Sequence, residues 1–483
     1  MAIGVACASN GCREASSQSV NLKRGKSAPR QRRVGRVTLY PRGSVWYMYY
    51  YESGRRIRRR IGCSLDEARL LAAQVNAQLE TGAPAMLSFE PLSVEELRRR
   101  WLDNHEHIMR SSVATISRYR SATQHLLTFV ARHLSISSAD RLALTHAEAF
   151  TRYLRQIRVA PNGHPKAAKV ALRDKGILFI LETCRALFNY ALKHKHLPPY
   201  HENPFGQLRL DRLPIENAKP IEPFDEEQER LFFAKCDAWQ LPIFLTLALT
   251  GLRPGELTHL LVPEDVDLAE RVIFVRNKVE LGWKTKTRNQ RTVPLSEELC
   301  TVLKQVMGDR RTGPVFLRRR FVTGKDTPLL HELGCKQLAM ELERRRQSEM
   351  SGQEENWSRR DDDRLARRLW RDAGAIKTDR LRMEFIKVTG RMGMPEATCP
   401  KVLRHLFATC LQDANVDPLI RQELMGHAAN GRKADRNGGL GMTAVYTHTR
   451  DATRRAQLQT AMELRKPAIE AAQGWLNDAG RRD

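Results

Sequence analysis

Six prolines fall between residues 198 and 224, at 198, 199, 204, 214, 220 and 223, in a stretch with no apolar periodicity. Proline removes a backbone donor and clashes with the preceding helical turn, so neither a helix nor a central strand can run through such a segment. A chain interrupted in this way cannot fold around one continuous core. Its 483 residues also exceed what a single core ordinarily organises. The sequence therefore predicts separate units on either side of an extended linker at 198–224.

The N-terminal side divides again. Residues 1–35 are rich in Ser, Lys, Arg and Gly and read as a basic flexible tail. RVTLYPRG, SVWYMYYYESG and RRIRRRIG then read as three short strands with Gly-containing turns. CSLDEARLLAAQVNAQLETG follows as a helix, with Ser64 as N-cap and Glu67 completing a capping box. A linker around 82–85 closes this 36–85 unit. Residues 91–197 read as an all-α unit of four or five helices, with Ser93 and Glu96 as a second capping box. Beyond the linker, 225–466 reads as a mixed α/β unit, mainly α, with a hairpin-like turn around Thr287–Gln290. A charged insertion is expected at about 317–395, and within it residues 340–375, dense in charges of both signs, read as a solvated helical insertion with a flexible joint at Ser351-Gly352. Residues 450–466 read as a helix and 467–483 as a loose tail.

The formal charge of +26 favours a polyanionic partner through counterion release. Much of it is concentrated: residues 1–62 hold 14 Lys and Arg against 2 acidic residues. In the tyrosine-rich strand around 46–51, one face can pack on the helix. The other lies beside Arg55, Arg56, Arg58, Arg59 and Arg60, and a twisted sheet of this kind can enter a DNA groove. The competing reading is an arginine-coated sheet that only solvates. The nine cysteines include no C-x-x-C pair, so no metal site is expected and a reduced, cytoplasmic setting is. The apolar run LPIFLTLALTGL is too short to span a bilayer, and no membrane partner is expected.

Five short strings carry the chemistry. TGLRPGELTHL places Arg253 at a bend after an apolar helix, where its fork can meet two phosphate oxygens. KTKTRNQRTVPL places Lys286 on a basic hairpin with Lys284 and Arg288. A lysine at its tip can reach the minor groove and protonate a leaving oxygen, and Lys284 competes for that role. KVLRHLFATCLQ carries Arg404 at the start of an amphipathic helix, ELMGHAAN carries His427 at a helix end, and TAVYTHT carries Tyr446. Each string alone also reads as a helix cap, a solvated turn or a half-buried tyrosine. Taken together and in order, two arginines, a lysine and a histidine can hold and protonate a phosphodiester that a tyrosine attacks.

Over most of 225–460 these strings resemble the boxes of the tyrosine recombinase (phage integrase) family. The resemblance implies that 91–197 is a helical core-binding domain and, more loosely, that 36–85 is an arm-type DNA-binding domain. It implies a reaction in which Tyr446 forms a 3′-phosphotyrosyl bond, Arg253 and Arg404 clamp the phosphate, His427 supports it, and Lys286 protonates the leaving 5′-oxygen. No cofactor, ATP or metal is needed. The implied partners are double-stranded DNA with core and arm sites, further copies of the chain in a tetramer, and accessory DNA-bending proteins, with the protein at the nucleoid and serving a mobile element. Two departures stand out. Lys401 sits three residues before Arg404, where most members have histidine, so it acts either as a phosphate donor or, with a lowered pKa, as a base. His427 and Tyr446 are also 19 residues apart, longer than the family habit. A type IB topoisomerase-like enzyme and a catalytically idle DNA-binding protein on the same fold are the alternatives.

Overall fold

The computed structural model describes residues 31–52, 54–81, 89–160, 164, 166–198, 201–217, 222–351, 357–427 and 449–479. The chain forms two compact units, Met1–Asn217 and Ala218–Asp483.

The first unit opens with an antiparallel sheet of β1 (Arg32–Val34), β2 (Val37–Arg42), β3 (Val45–Glu52) and β4 (Arg55–Gly62), in that order. Four strands stand where three are expected, because Arg32–Val34, assigned to the basic tail, pairs back on β2 through a turn at Gly35. The rest of that tail, 1–30, lies outside the described residues. Alternation fixes the faces. Val37, Leu39, Met48 and Tyr50 point inward onto Ala68, Ala72 and Val75 of α1 (Leu65–Glu80). Ser64 caps α1 by accepting the Glu67 N–H, as its position predicts.

A separate core is built by α2 (Val94–Asp103), α3 (Val113–His133), α4 (Leu144–Gln156) and α5 (Asp174–Lys193). Two short strands, β5 (Arg158–Val159) and β6 (Val170–Ala171), pair between α4 and α5. The extended linker differs from expectation. Phe205 is fully buried between the rings of Phe150 and Phe188, and Leu210 joins the same core. Asn203 donates to the Arg185 carbonyl at 2.9 Å, and the Asp174 carboxylate accepts the Glu216 N–H at 3.0 Å. The prolines do exclude regular structure, but two large apolar side chains find a core, so 201–217 is part of the helical unit.

The second unit contains α6 (Glu226–Ala234), α7 (Gln240–Thr250), α8 (Pro254–Leu257), β7 (Leu261–Val262), β8 (Val266–Asp267), β9 (Val272–Val275), β10 (Arg291–Pro294), α9 (Glu297–Met307), β11 (Gly313–Pro314) and α10 (Arg319–Thr323). After these come α11 (Cys335–Met350), α12 (Arg359–Asp372), α13 (Thr378–Arg391), α14 (Lys401–Asp413), α15 (Pro418–Met425), α16 (Asp451–Glu463) and α17 (Lys466–Ala479). The sheet β10-β9-β8 flanks a core centred on α7, whose every residue is buried.

Two expectations are corrected here. Residues 340–375 are not simply solvated, and the charged 317–395 stretch around them supplies core residues. Leu381, Phe385 and Val388 of α13 belong to the main core, while α11 and α12 bury Leu338, Leu369 and Trp370 against Leu261 and Leu281 in a second one. The proposed joint residue Gly352 lies outside the described residues. The C-terminal segment is not a loose tail over 467–479. Ala468 and Ala472 of α17 are buried, Trp475 donates to the Ala238 carbonyl at 3.0 Å, and the buried Arg465 pairs with the buried Glu229. Among the described residues no helix is long and apolar enough to cross a membrane.

Candidate active site

The site forms where three helix ends meet. Helix α7 stops at Gly251, whose φ of +60° is the left-handed conformation that glycine adopts freely. A Cβ there would lie 2.3 Å from Cδ1 of Phe407 on α14, so the turn also requires the missing side chain. This abrupt stop places Arg253 at the N-cap of α8 rather than on a solvated helix face.

Arg253 is held by Glu256. Its Nη1 donates to Oε1 at 2.8 Å and its backbone N–H to Oε2 at 2.9 Å. The same carboxylate takes Nη2 of Arg291 at 2.7 Å. Burial is the largest influence on Glu256 and pushes its pKa up. Hydrogen bonds from Arg291 and Arg253 outweigh it and leave the carboxyl below its ordinary value, so it is ionised at neutral pH.

Arg404, in the first turns of α14, is buried and spans two helix ends. Nη1 donates to the Gly251 carbonyl that ends α7, and Nη2 to the Met425 carbonyl that ends α15. Burial first, and then the neighbouring Arg253, bring its pKa down to about 10, so it stays charged at neutral pH. His427 follows the left-handed Gly426, and its backbone N–H closes the end of α15 on the Gln422 carbonyl. Burial, followed by the charges of Arg404, Arg253 and Arg291, pushes its imidazole below the usual histidine value. The ring is therefore neutral at pH 7 and keeps one donor and one acceptor.

Lys286 sits in a turn that closes with the Arg288 N–H on the Thr285 carbonyl. Asn277 pins the turn from below, accepting the Thr285 N–H and donating to the Arg288 carbonyl, both at 2.9 Å. Thr287 donates to the Gly426 carbonyl at 3.3 Å, which ties the turn to the residue preceding His427. Lys284, Lys286 and Arg288 are all exposed, and Lys286 lies next to that tie. Lys401 is exposed at the first position of α14, one turn before Arg404.

Tyr446 lies outside the described residues, as does the whole of 428–448. The described chain leaves at His427 and resumes at Thr449, and α15 holds both ends: Thr449 donates to Glu423 at 3.3 Å, and Gln457 accepts the Asp417 N–H at 2.8 Å.

The arginines of β4 divide between two faces. Arg56, Arg58 and Arg60 are exposed opposite Tyr51, Tyr49 and Tyr47. The Arg56 guanidinium lies 4.0 Å over the Tyr49 ring, and Tyr40 stacks on Tyr47. Arg59 pairs with the buried Met48 and so shares the helix-facing side, where it lies over Phe89. The Arg55 side chain lies outside the described groups.

Two members of the cluster do not stand out in the sequence, Glu256 and Arg291. The three-residue spacing from Arg253 to Glu256, that of a capping box, is the one local signal for the first. Nothing local marks Arg291, whose partners come from α8 and α15.

The model of the phage integrase family matches residues 223–452. The tyrosine recombinase XerA of Pyrococcus furiosus is 29% identical over 257 residues, covering 52% of this chain and 66% of that protein. The transposase from transposon Tn916 of Enterococcus faecalis is 26% identical over 242 residues, covering 47% of this chain and 50% of that protein. The chain thus spans between half and just under two thirds of these curated relatives. Among solved structures, the Tn1549 transposon integrase in complex with circular intermediate DNA is similar at 17% identity with a TM-score of 0.47, covering 76% of this chain and 99% of that one.

Proposed function

Because its residues 223–452 belong to the phage integrase family, we propose that the chain is a site-specific DNA recombinase that cuts and rejoins duplex DNA through a 3′-phosphotyrosyl intermediate, in the service of a mobile element. The observation that carries this reading is the convergence of Arg253, Arg404 and His427 at three helix ends, beside one carboxylate, Glu256, that Arg253 shares with Arg291. A surplus of fixed cations around a neutral imidazole is suited to a phosphodiester gaining charge in an in-line displacement.

Arg253 and Arg404 neutralise the non-bridging oxygens as the phosphorus becomes pentavalent. Tyr446 attacks phosphorus as its phenolic proton passes to solvent water, the P–O5′ bond breaks, and the 3′-phosphate remains on the tyrosine. Lys286 gives a proton to the departing 5′-oxygen. His427 hydrogen-bonds a phosphate oxygen, and Lys401, exposed beside Arg404, donates to phosphate as well. The 5′-hydroxyl of a partner strand then reverses the step, so the energy of the broken bond is conserved. Support for Tyr446 comes from Thr449, three residues on and fixed to the helix that ends before His427. On paired sites the chain acts as a tetramer, with Arg56, Arg58 and Arg60 on arm DNA and accessory bending proteins assisting.

The test is a nicked duplex taken from the junctions flanking the gene. The wild type traps a covalent protein–DNA adduct and Tyr446→Phe does not. An adduct that persists in Tyr446→Phe, or its absence from the wild type at every junction, overturns the reading. Recombination between two such sites, rather than relaxation of one circle, separates a recombinase from a topoisomerase.

A further inference from the structure

Two neighbouring cavities of the second unit share a wall. The larger, about 580 Å³, opens between α12 and the chain entering the Lys286 turn, and the smaller, about 320 Å³, between Trp239, α10 and α13. Arg318, Ile376 and Lys377 line both. Together their walls carry nine cationic side chains against three carboxylates, Asp363, Asp379 and Glu384. Such an excess across one concave surface sets up a field that attracts anions.

The arrangement is ordered. Arg364, Arg367 and Arg371 recur at helical spacing along one face of α12, and all three are exposed. The opposite face buries Leu365, Leu369 and Trp370. Each of the three arginines has a carboxylate of its own helix within 3.2 Å, Asp361, Asp363 and Asp372. The Arg364 and Arg367 pairs open to solvent and so are weak and exchange readily for a phosphate, while Asp372 is shared with Arg345. Arg318 is held by its Nε on the Ala375 carbonyl, and it is crowded by Arg320 and Arg371. The floor offers no counter-charge: His259 lies between the rings of Trp283 and Trp370, and burial brings it down to about 4, so it is neutral.

Continuity with the proposed active site identifies the anion. Gly282 and Trp283 line the larger cavity, immediately before Lys284. Trp370 donates to the Leu281 carbonyl at 3.1 Å, and a Cβ on Gly282 would lie 2.5 Å from the Ala366 Cβ. Helix α12 is therefore packed directly on the segment that leads into the Lys286 turn. We propose that the exposed face of α12, together with Arg318 and Arg320, is a second DNA-backbone surface that grips phosphates of the duplex entered by that turn. This inference rests on the recombinase reading for its choice of duplex DNA as ligand.

The test is the salt dependence of binding of the full chain to a mixed-sequence duplex of about 30 base pairs, where each phosphate contact adds close to one unit of slope in log K against log salt. Arg364→Gln/Arg367→Gln/Arg371→Gln flattens the slope by about 2 to 3, and Arg320→Gln by about 1. Arg344→Gln, on the exposed face of α11 and outside both cavities, leaves it unchanged. Unchanged slopes in both groove variants overturn the proposal. So does a flattening seen with an RNA hairpin and not with duplex DNA. Since the triple substitution keeps the buried face of α12, its thermal unfolding stays with the wild type; if it does not, Arg320→Gln decides. Wild-type adduct formation on nicked DNA reports the recombinase reading separately, so failure of one is distinguishable from failure of the other.

Discussion

Replacing Glu256 by Gln tests the logic of the site most directly. The Glu256 side chain is 2% exposed, and it neutralises Arg291, itself 6% exposed, together with the partly exposed Arg253. Removing one member of a buried ion pair leaves the other charged and uncompensated, which costs roughly 3–5 kcal/mol. Glutamine keeps one acceptor oxygen and the shape, so the loss belongs at the lower end, about 3 kcal/mol. The sign with pH follows. The folded carboxyl lies below its ordinary value, so its contribution is complete above the unfolded pKa of about 4.3 and is lost as pH falls through the folded value. Glu256→Gln therefore lowers stability at pH 7 and removes that part of the acid dependence. Urea unfolding of the full chain, followed by tryptophan fluorescence, measures both effects, and adduct formation on nicked DNA reports the displaced Arg253. A double-mutant cycle with Arg291→Met decides the mechanism. If Glu256→Gln and Arg291→Met add within about 0.5 kcal/mol, the shared carboxylate is not what couples them and the reasoning is wrong.

Three further outcomes are expected. Gly251→Ala forces a left-handed backbone on alanine and drives its Cβ into Phe407, lowering stability by about 2 to 5 kcal/mol and reducing adduct formation through the Arg404 contact; an unshifted melting temperature would contradict this. His259, brought down to about 4 from an ordinary 6.5, stabilises the fold above pH 6.5, and that contribution is lost as pH falls toward 4. Between pH 7 and pH 5 the wild type should lose about 2 kcal/mol more than His259→Gln, and equal losses in urea titrations would sink the idea. Lys401→His keeps adduct formation within about tenfold, since either side chain can donate to phosphate; a loss of about a hundredfold or more with DNA binding intact would instead mark Lys401 as an essential acid or base.

The parts of the molecule legible in the sequence are those whose signal is local. Ser64 and Ser93 mark helix starts and do cap them. Arg253, Arg404 and His427 each sit in a short string at a helix end, and those ends are where the structure brings them together. What was illegible depends on distant partners. The carbonyl that Arg404 meets at Gly251 is 153 residues away, and Thr287 meets Gly426 across 139. The final helix reads as loose because its fully buried core positions, Ala468 and Ala472, are small, and the Arg465–Glu229 pair just before it spans 236 positions. Prolines obscured Phe205, and the arginines of α12 obscured the apolar stripe beneath them. In both places composition described the surface, while a few large side chains decided the packing.

The seating of α11 and α12 bears on how this protein can be handled. A segment with so many charges invites excision when a shorter version is wanted for crystallisation or genome engineering. Yet Trp370 covers Leu281, and Gly282 is bare so that Ala366 can press against it. Cutting out 335–372 would strip the outer wall from the segment that positions the Lys286 turn. A trimmed chain should then lose solubility and strand cleavage together, and grafting the pair onto a related scaffold would require carrying Leu281, Gly282 and Trp283 with it.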